Sequence, residues 1–216
     1  MSRSKEPPCL YSELQRLCHI RTSHVANDVI AASHTGQEPL NDRQLEARIF
    51  ALVIAIDNYR NSEINKLQGC VPDAEDLHKF LEDTLKIPSH RIRRLYNERA
   101  TRRAILDTFI SHFIENIDIQ PGDTMILFYA GHGDRETAPE GWKAPNNMVE
   151  TISPYDVHTK DTDGNAVLGI PDWTIDCLMQ RLAKAKGDNI VAIFDCCHSG
   201  GALREITEDA GVPRAL

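Results

Sequence analysis

The sequence predicts an α/β protein built on an open, mainly parallel sheet with helices on both faces. Three observations carry that expectation. Residues 49–56, 124–129 and 189–194 are apolar runs without alternation, as strands buried on both faces should be. Helical patterns separate these runs, and alternation of strand and helix is the signature of parallel pairing. Polar, glycine-containing turns follow each run, and in open α/β sheets function gathers in the loops beyond the carboxyl ends of the strands. Those turns are residues 57–73, 130–134 and 195–200.

The elements follow in order. The run I-F-A-L-V-I-A-I is the first strand, ended by Asp57-Asn58-Tyr59. A helix is expected over 72–85, with Pro72 near its first turn, Asp73, Glu75 and Asp76 early, and Leu77, Phe80, Leu81 and Leu85 on one face. Residues 92–96 form a short strand, and Thr101 caps a helix running to about Glu115 that carries Ile105, Phe109 and Phe113 on one side. Pro121-Gly122-Asp123 turns into the second buried strand, T-M-I-L-F-Y. Residues 134–170 are rich in Gly, Pro and Asp, with room for a short strand over 148–153. A helix starts at Pro171-Asp172, and N-I-V-A-I-F is the third buried strand. Residues 1–45 are polar, with a Pro-Pro near the start, and read as an N-terminal extension or pro-segment preceding a domain over 46–216.

The composition narrows the function. The 216 residues carry 41% hydrophobic and 26% charged side chains, enough for one sizeable core. A net charge of −8 argues against nucleic acid or an anionic membrane as the main partner. There is no run of about 18 apolar residues and no apolar signal core, so a cytoplasmic, or additionally nuclear, protein is expected. Six cysteines, at 9, 18, 70, 177, 196 and 197, include no CxxC pair, so they are expected to be thiols.

Two of the nominated turns carry reactive groups. F-Y-A-G-H-G (128–133) sets His132 between two glycines, and I-F-D-C-C-H-S-G (193–200) holds a thiol in a polar turn. A thiolate is the attacking species in thiol chemistry, and a cysteine of ordinary pKa, about 8.5, needs an imidazole or an electropositive site to form it. Imidazole takes and returns a proton near neutral pH. Backbone N–H groups of Gly133 and Cys197 are the candidate oxyanion donors of an acyl-transfer intermediate. Either turn alone fits a blander role, a buried Cys being more often a small hydrophobe. Together, at the ends of neighbouring strands, they point to nucleophilic catalysis. Adjacent Cys196-Cys197-His198 make a poor tetrahedral metal site, which argues against a metal or redox protein.

The pair F-Y-A-G-H-G and F-D-C-C-H-S-G resembles the His and Cys boxes of metacaspases, the caspase relatives of fungi, plants and protists. A-L-V-I-A-I-D-N-Y followed by L-Q-G-C-V-P-D-A resembles their first strand and its loop, so the likeness covers about residues 49–204. It implies a caspase-like three-layer sandwich and a cysteine endopeptidase with Cys197 as nucleophile and His132 as base, leaving Cys196 and His198 structural. It also implies an acidic specificity pocket of Asp73 and Asp195, with Cys70 alongside, that takes a substrate Arg or Lys by charge-assisted hydrogen bonds. Helix N-terminal charge is the plainer role for Asp73. Where the family often has Ser two residues before the His, this chain has Ala130. The Cys–His chemistry requires no cofactor, and calcium enters only by resemblance, with Asp172 the one retained acid of a paired Asp and 161–165 (D-T-D-G-N) calcium-like in composition alone. The resemblance further implies that the C-terminal part of the domain is missing, so that a small-subunit-like partner chain would complete the sheet along the edge of 189–194. A non-catalytic caspase-like module acting through such a partner is the competing reading. Arg204 and Arg214 are candidate positions for an activating cut of the same basic specificity.

Overall fold

The computed structural model describes residues 48–138, 142 and 144–196. The extension expected over 1–45, together with Cys197, His198, Arg204 and Arg214, lies outside the described residues. Four parallel strands, β1 (Ile49–Ala55), β2 (Ile92–Tyr96), β3 (Thr124–Ala130) and β7 (Ile190–Asp195), form a sheet in the order β2-β1-β3-β7. A smaller antiparallel sheet is built from β4 (Gly133–Thr137), β5 (Met148–Ile152) and β6 (Ile170–Pro171), in that order. The helices are α1 (Cys70–Lys79), α2 (Arg102–Phe109) and α3 (Asp172–Lys186). The first two continue through wider π-type turns, Phe80–Thr84 and Ile110–Ile114, so the helical stretches end close to where the apolar pattern places them.

The period-two geometry of β1 splits its side chains between two cores. Phe50, Leu52 and Ile54 meet Ile105, Phe109, Ile175 and Leu182 from α2 and α3 on one face. Ala51, Val53 and Ala55 meet Ala74 and Leu81 on the other, beneath α1. This makes three layers, and the small residues of the second face let α1 lie close on the sheet. Central placement between β2 and β3 explains why every β1 residue is buried. Thr101 caps α2, its Oγ1 accepting from Ala104 N at 3.2 Å, and Asp156 Oδ1 accepts from Arg102 N at 2.8 Å.

One expectation needs correction. The run 189–194 is not buried on both faces: among the described residues β7 is the edge strand, Ile190 and Phe194 pack on the core, and Val191 and Ile193 remain 43% and 41% exposed. No described helix covers that end of the second face, so the unbroken apolar run does not correspond to two-sided burial here.

Candidate active site

Strand register gathers the nominated loops. Ala55 pairs with Ala130, and Ala130 with Asp195, forming one row across β1, β3 and β7 at their carboxyl ends. Ile56 N continues the ladder to Ala130 O at 3.0 Å, and Gly131 N to Asp195 O at 3.2 Å. Two positions further along each chain stand Asp57, His132 and Cys197. The last lies outside the described residues.

His132 is held from three sides. Its backbone N donates to Tyr59 Oη at 2.8 Å, and its carbonyl accepts from Tyr129 Oη at 2.7 Å and from Ser153 N at 3.0 Å. The imidazole Nε2 lies 2.8 Å from the carbonyl oxygen of Asn65. A carbonyl oxygen can only accept, so Nε2 carries the proton and Nδ1 of the neutral ring holds the lone pair. The Tyr59 ring stands beside the imidazole, with centroids 5.2 Å apart. Burial pushes the Tyr59 phenol up to about 12, so it is a neutral hydroxyl at any physiological pH. Gly131 has no substitute here: a Cβ on it would lie 2.7 Å from Tyr129 Oη and 3.0 Å from Tyr59 Oη.

The expected pocket residues also come together. Burial pushes the Cys70 thiol up to about 12, followed by the charge of Asp57, its hydrogen bond to Asp57, and the charges of Asp195 and Asp73. Cys70 is therefore a protonated thiol among three carboxylates, unsuited to attack. Asp73 and Asp195 are exposed, whereas Asp57 is buried. Asp57 Oδ1 accepts from Cys70 N at 3.0 Å and Oδ2 from Val71 N at 3.1 Å, so its carboxylate satisfies the opening N–H groups of α1. Asp57, Tyr59 and Asn65 were not singled out in the sequence as site residues. Asp57 sits 13 positions from the amide it binds, and a backbone carbonyl such as that of Asn65 has no residue-type signature.

The remaining candidates occupy plain positions. Gly133 opens β4 opposite Ile152, and Ala130 is fully buried beneath α1. Cys196 is half-buried against the first core, and Cys70, Cys177 and Cys196 are thiols rather than disulfides. Asp172 opens α3, its Oδ1 accepting from Trp173 N at 2.8 Å. Asp161 is taken up by its own turn, accepting from Asp163 N and from Asn165 N and Nδ2. Hydrogen bonding, chiefly from the Asn165 backbone, holds its carboxyl below the usual range. Among the described residues no group of three or more His, Cys, Asp or Glu is placed to hold a metal, and no helix is long and apolar enough to cross a membrane. A cavity of about 460 Å³, lined by Arg48, His90, Arg91, Ile117, Asp118 and Gln120, lies at the amino ends of the strands, away from the loops that carry the chemistry.

A parallel-centred α/β sandwich with a Gly-flanked His and a Cys turn at adjoining strand ends defines the caspase-like class. Residues 50–205 match the family described as "Metacaspase, peptidase C14 domain", and the chain belongs to the metacaspase family. It is 30% identical over 171 residues to Metacaspase-1 of Saccharomyces cerevisiae, covering 77% of this chain and 37% of that protein. It is 29% identical over 164 residues to Metacaspase-7 of Arabidopsis thaliana, covering 74% of this chain and 37% of that one. The chain thus spans about 37% of the length of these curated relatives. A crystal structure of a Geobacter sulfurreducens protein shares the fold at a TM-score of 0.54 and 22% identity, over 71% of this chain and 52% of that one.

Proposed function

We propose that the chain carries the site of a cysteine endopeptidase that cleaves after Arg or Lys. The observation that carries this reading is the orientation of His132. Its Nε2–H is committed to the Asn65 carbonyl, which leaves Nδ1 as the basic atom, on a loop one strand from the Asp195-Cys196-Cys197 turn. Cys197 Sγ gives its proton to Nδ1 and attacks the scissile carbonyl carbon. The oxyanion is met by the N–H groups of Gly133 and Cys197. The imidazolium, still bonded to Asn65 O, returns the proton to the departing amine, leaving a thioester. Water attacks the thioester with His132 as base, releasing the acid and restoring the thiol.

Basic specificity is supported by Asp73 and Asp195, whose charges converge on Cys70. Two accessible carboxylates favour a guanidinium or ammonium and repel a substrate Asp. The test is hydrolysis of fluorogenic peptides ending in Arg, Lys or Asp, with and without calcium, beside Cys197→Ala. Turnover of Arg and Lys peptides that Cys197→Ala abolishes is expected. No turnover under any condition sinks the enzyme reading for this chain, and cleavage after Asp sinks the pocket assignment. The calcium arm decides whether an ion is needed.

The exposed face of β7, and its edge position among the described residues, favour a second reading, a caspase-like module completed by a partner chain. Activity that appears only when a small-subunit-like segment is supplied would select it.

A further inference from the structure

We propose that Asp57 is a specificity-determining residue of this site, a fixed negative charge behind the pocket that also positions the groups lining it. The inference deepens the peptidase reading and rests on it for the substrate.

Three observations converge. The carboxylate is buried, and its two oxygens are divided between Cys70 N and Val71 N. It therefore sets where α1 begins, and with it Cys70 and Asp73 one turn on. Second, its own backbone closes the loop that serves His132. Asp57 O accepts from Leu67 N at 2.8 Å, and Asp57 N and Asn58 N both donate to Asn97 Oδ1. Inside that closed loop lie Tyr59 and Asn65, the two residues whose oxygens face His132. Third, of the three carboxylates acting on Cys70, Asp57 acts most strongly, ahead of Asp195 and Asp73, although it alone is withdrawn from solvent. A charge that solvent does not reach is the least screened. The amino end of α1 offsets about half a unit of it, and about half remains to attract a cation seated against Cys70.

Asp57 does not touch substrate in this arrangement; it acts through Cys70 and the start of α1. Loss of the cap harms every substrate alike, whereas loss of the charge harms only a cationic one. The discriminating pair is a peptide ending in Arg and the same peptide ending in citrulline, equal in shape and neutral. Removing the carboxylate changes that charge by one full unit, since the helix end stays in place; at about 7 Å, in an effective dielectric of about 20, this is worth roughly a ten- to hundredfold change in the Arg-to-citrulline ratio of kcat/KM.

The experiment compares the full chain with Asp57→Asn and Asp57→Ser, the serine retaining a cap acceptor if the asparagine variant folds poorly. A fall of roughly ten- to hundredfold in that ratio is expected. An unchanged ratio overturns the proposal. A second arm needs no turnover: site-resolved alkylation of Cys70 by iodoacetamide at pH 9. Removing the carboxylate is expected to speed it about tenfold, the change that one unit of thiol pKa gives. The wild-type thiol is expected to resist alkylation until well above pH 9. Equal rates in all three proteins, or a wild-type midpoint in the ordinary cysteine range, overturn the proposal even if the chain cleaves nothing. A wild type that cleaves neither peptide but shows the expected alkylation pattern refutes the peptidase reading while upholding the charge assignment.

Discussion

Acidification should destabilise this domain through one residue, His112. The residue is 5% exposed, its ring between Phe50 and Phe113, and Nε2 lies 3.1 Å from Ala51 O and 3.2 Å from Arg91 O. Burial, with the Arg93 charge second, pushes the imidazole down to about 4 from an ordinary 6.5, although the two carbonyls favour its cationic form. The folded state therefore binds fewer protons than the unfolded one between these values. The contribution is fully present above about pH 6.5 and is lost as pH falls toward 4. Linkage gives a loss of about 2 kcal/mol at pH 5 and about 3 kcal/mol once both states are protonated. The comparison is urea unfolding of wild type and His112→Gln at pH 7, 6 and 5. Glutamine offers a donor of similar reach that does not titrate. Its poorer packing shifts stability by an amount independent of pH, and other titrating groups cancel in the difference. Wild type should lose about 2 kcal/mol relative to the variant between pH 7 and 5. Parallel stabilities across that range would refute the assignment of a neutral, desolvated His112.

Gly131→Ala forces a Cβ against two buried hydroxyls, at 2.7 Å and 3.0 Å, and neither ring has a flexible end to swing away. Overpacking of this kind costs about 1–3 kcal/mol, read as a lower urea midpoint at unchanged m-value. Tyr59→Phe removes the acceptor of His132 N–H without disturbing the ring and should cost about 1–3 kcal/mol in the same unfolding experiment. Asp73→Asn leaves one fewer carboxylate in the proposed pocket. Since Asp73 is solvent-exposed, KM for an Arg peptide should rise only about fivefold, the yield of an accessible ion pair, with kcat retained.

What the sequence disclosed and what it withheld divide along one physical line. Features that depend on the residue itself were legible. The apolar runs of β1 and β3 announce strands, Thr101 announces a cap, and a histidine between glycines announces a loop that must pass close to its neighbours. Features that depend on a distant partner were not. G-D-R-E-T reads as a polar loop, yet it is β4, because Met148–Ile152 lies antiparallel beside it and pairs its backbone whatever its side chains. The run N-I-V-A-I-F reads as buried, and the exposure of Val191 and Ile193 follows from its edge position among the described residues rather than from composition. Asp57 reads as the polar end of a strand until α1 begins against its carboxylate.

The candidate site illustrates the same division and shows why separation along the chain says little about assembly. Ala55, Ala130 and Asp195 are far apart in sequence, yet parallel register sets them side by side. Equal advance from that row leads to Asp57, His132 and Cys197. A parallel sheet aligns all its carboxyl ends at one edge, so loops leaving a common row leave in one direction. The residue types supplied the candidate groups: an imidazole, a thiol, carboxylates. Backbone groups supplied the orientation, the Asn65 carbonyl above all, and they are common to every residue. A variant that keeps His132 but shifts the loop carrying Asn65 should therefore keep the imidazole and lose its fixed tautomer. That is the sense in which this site belongs to the fold as much as to its named side chains.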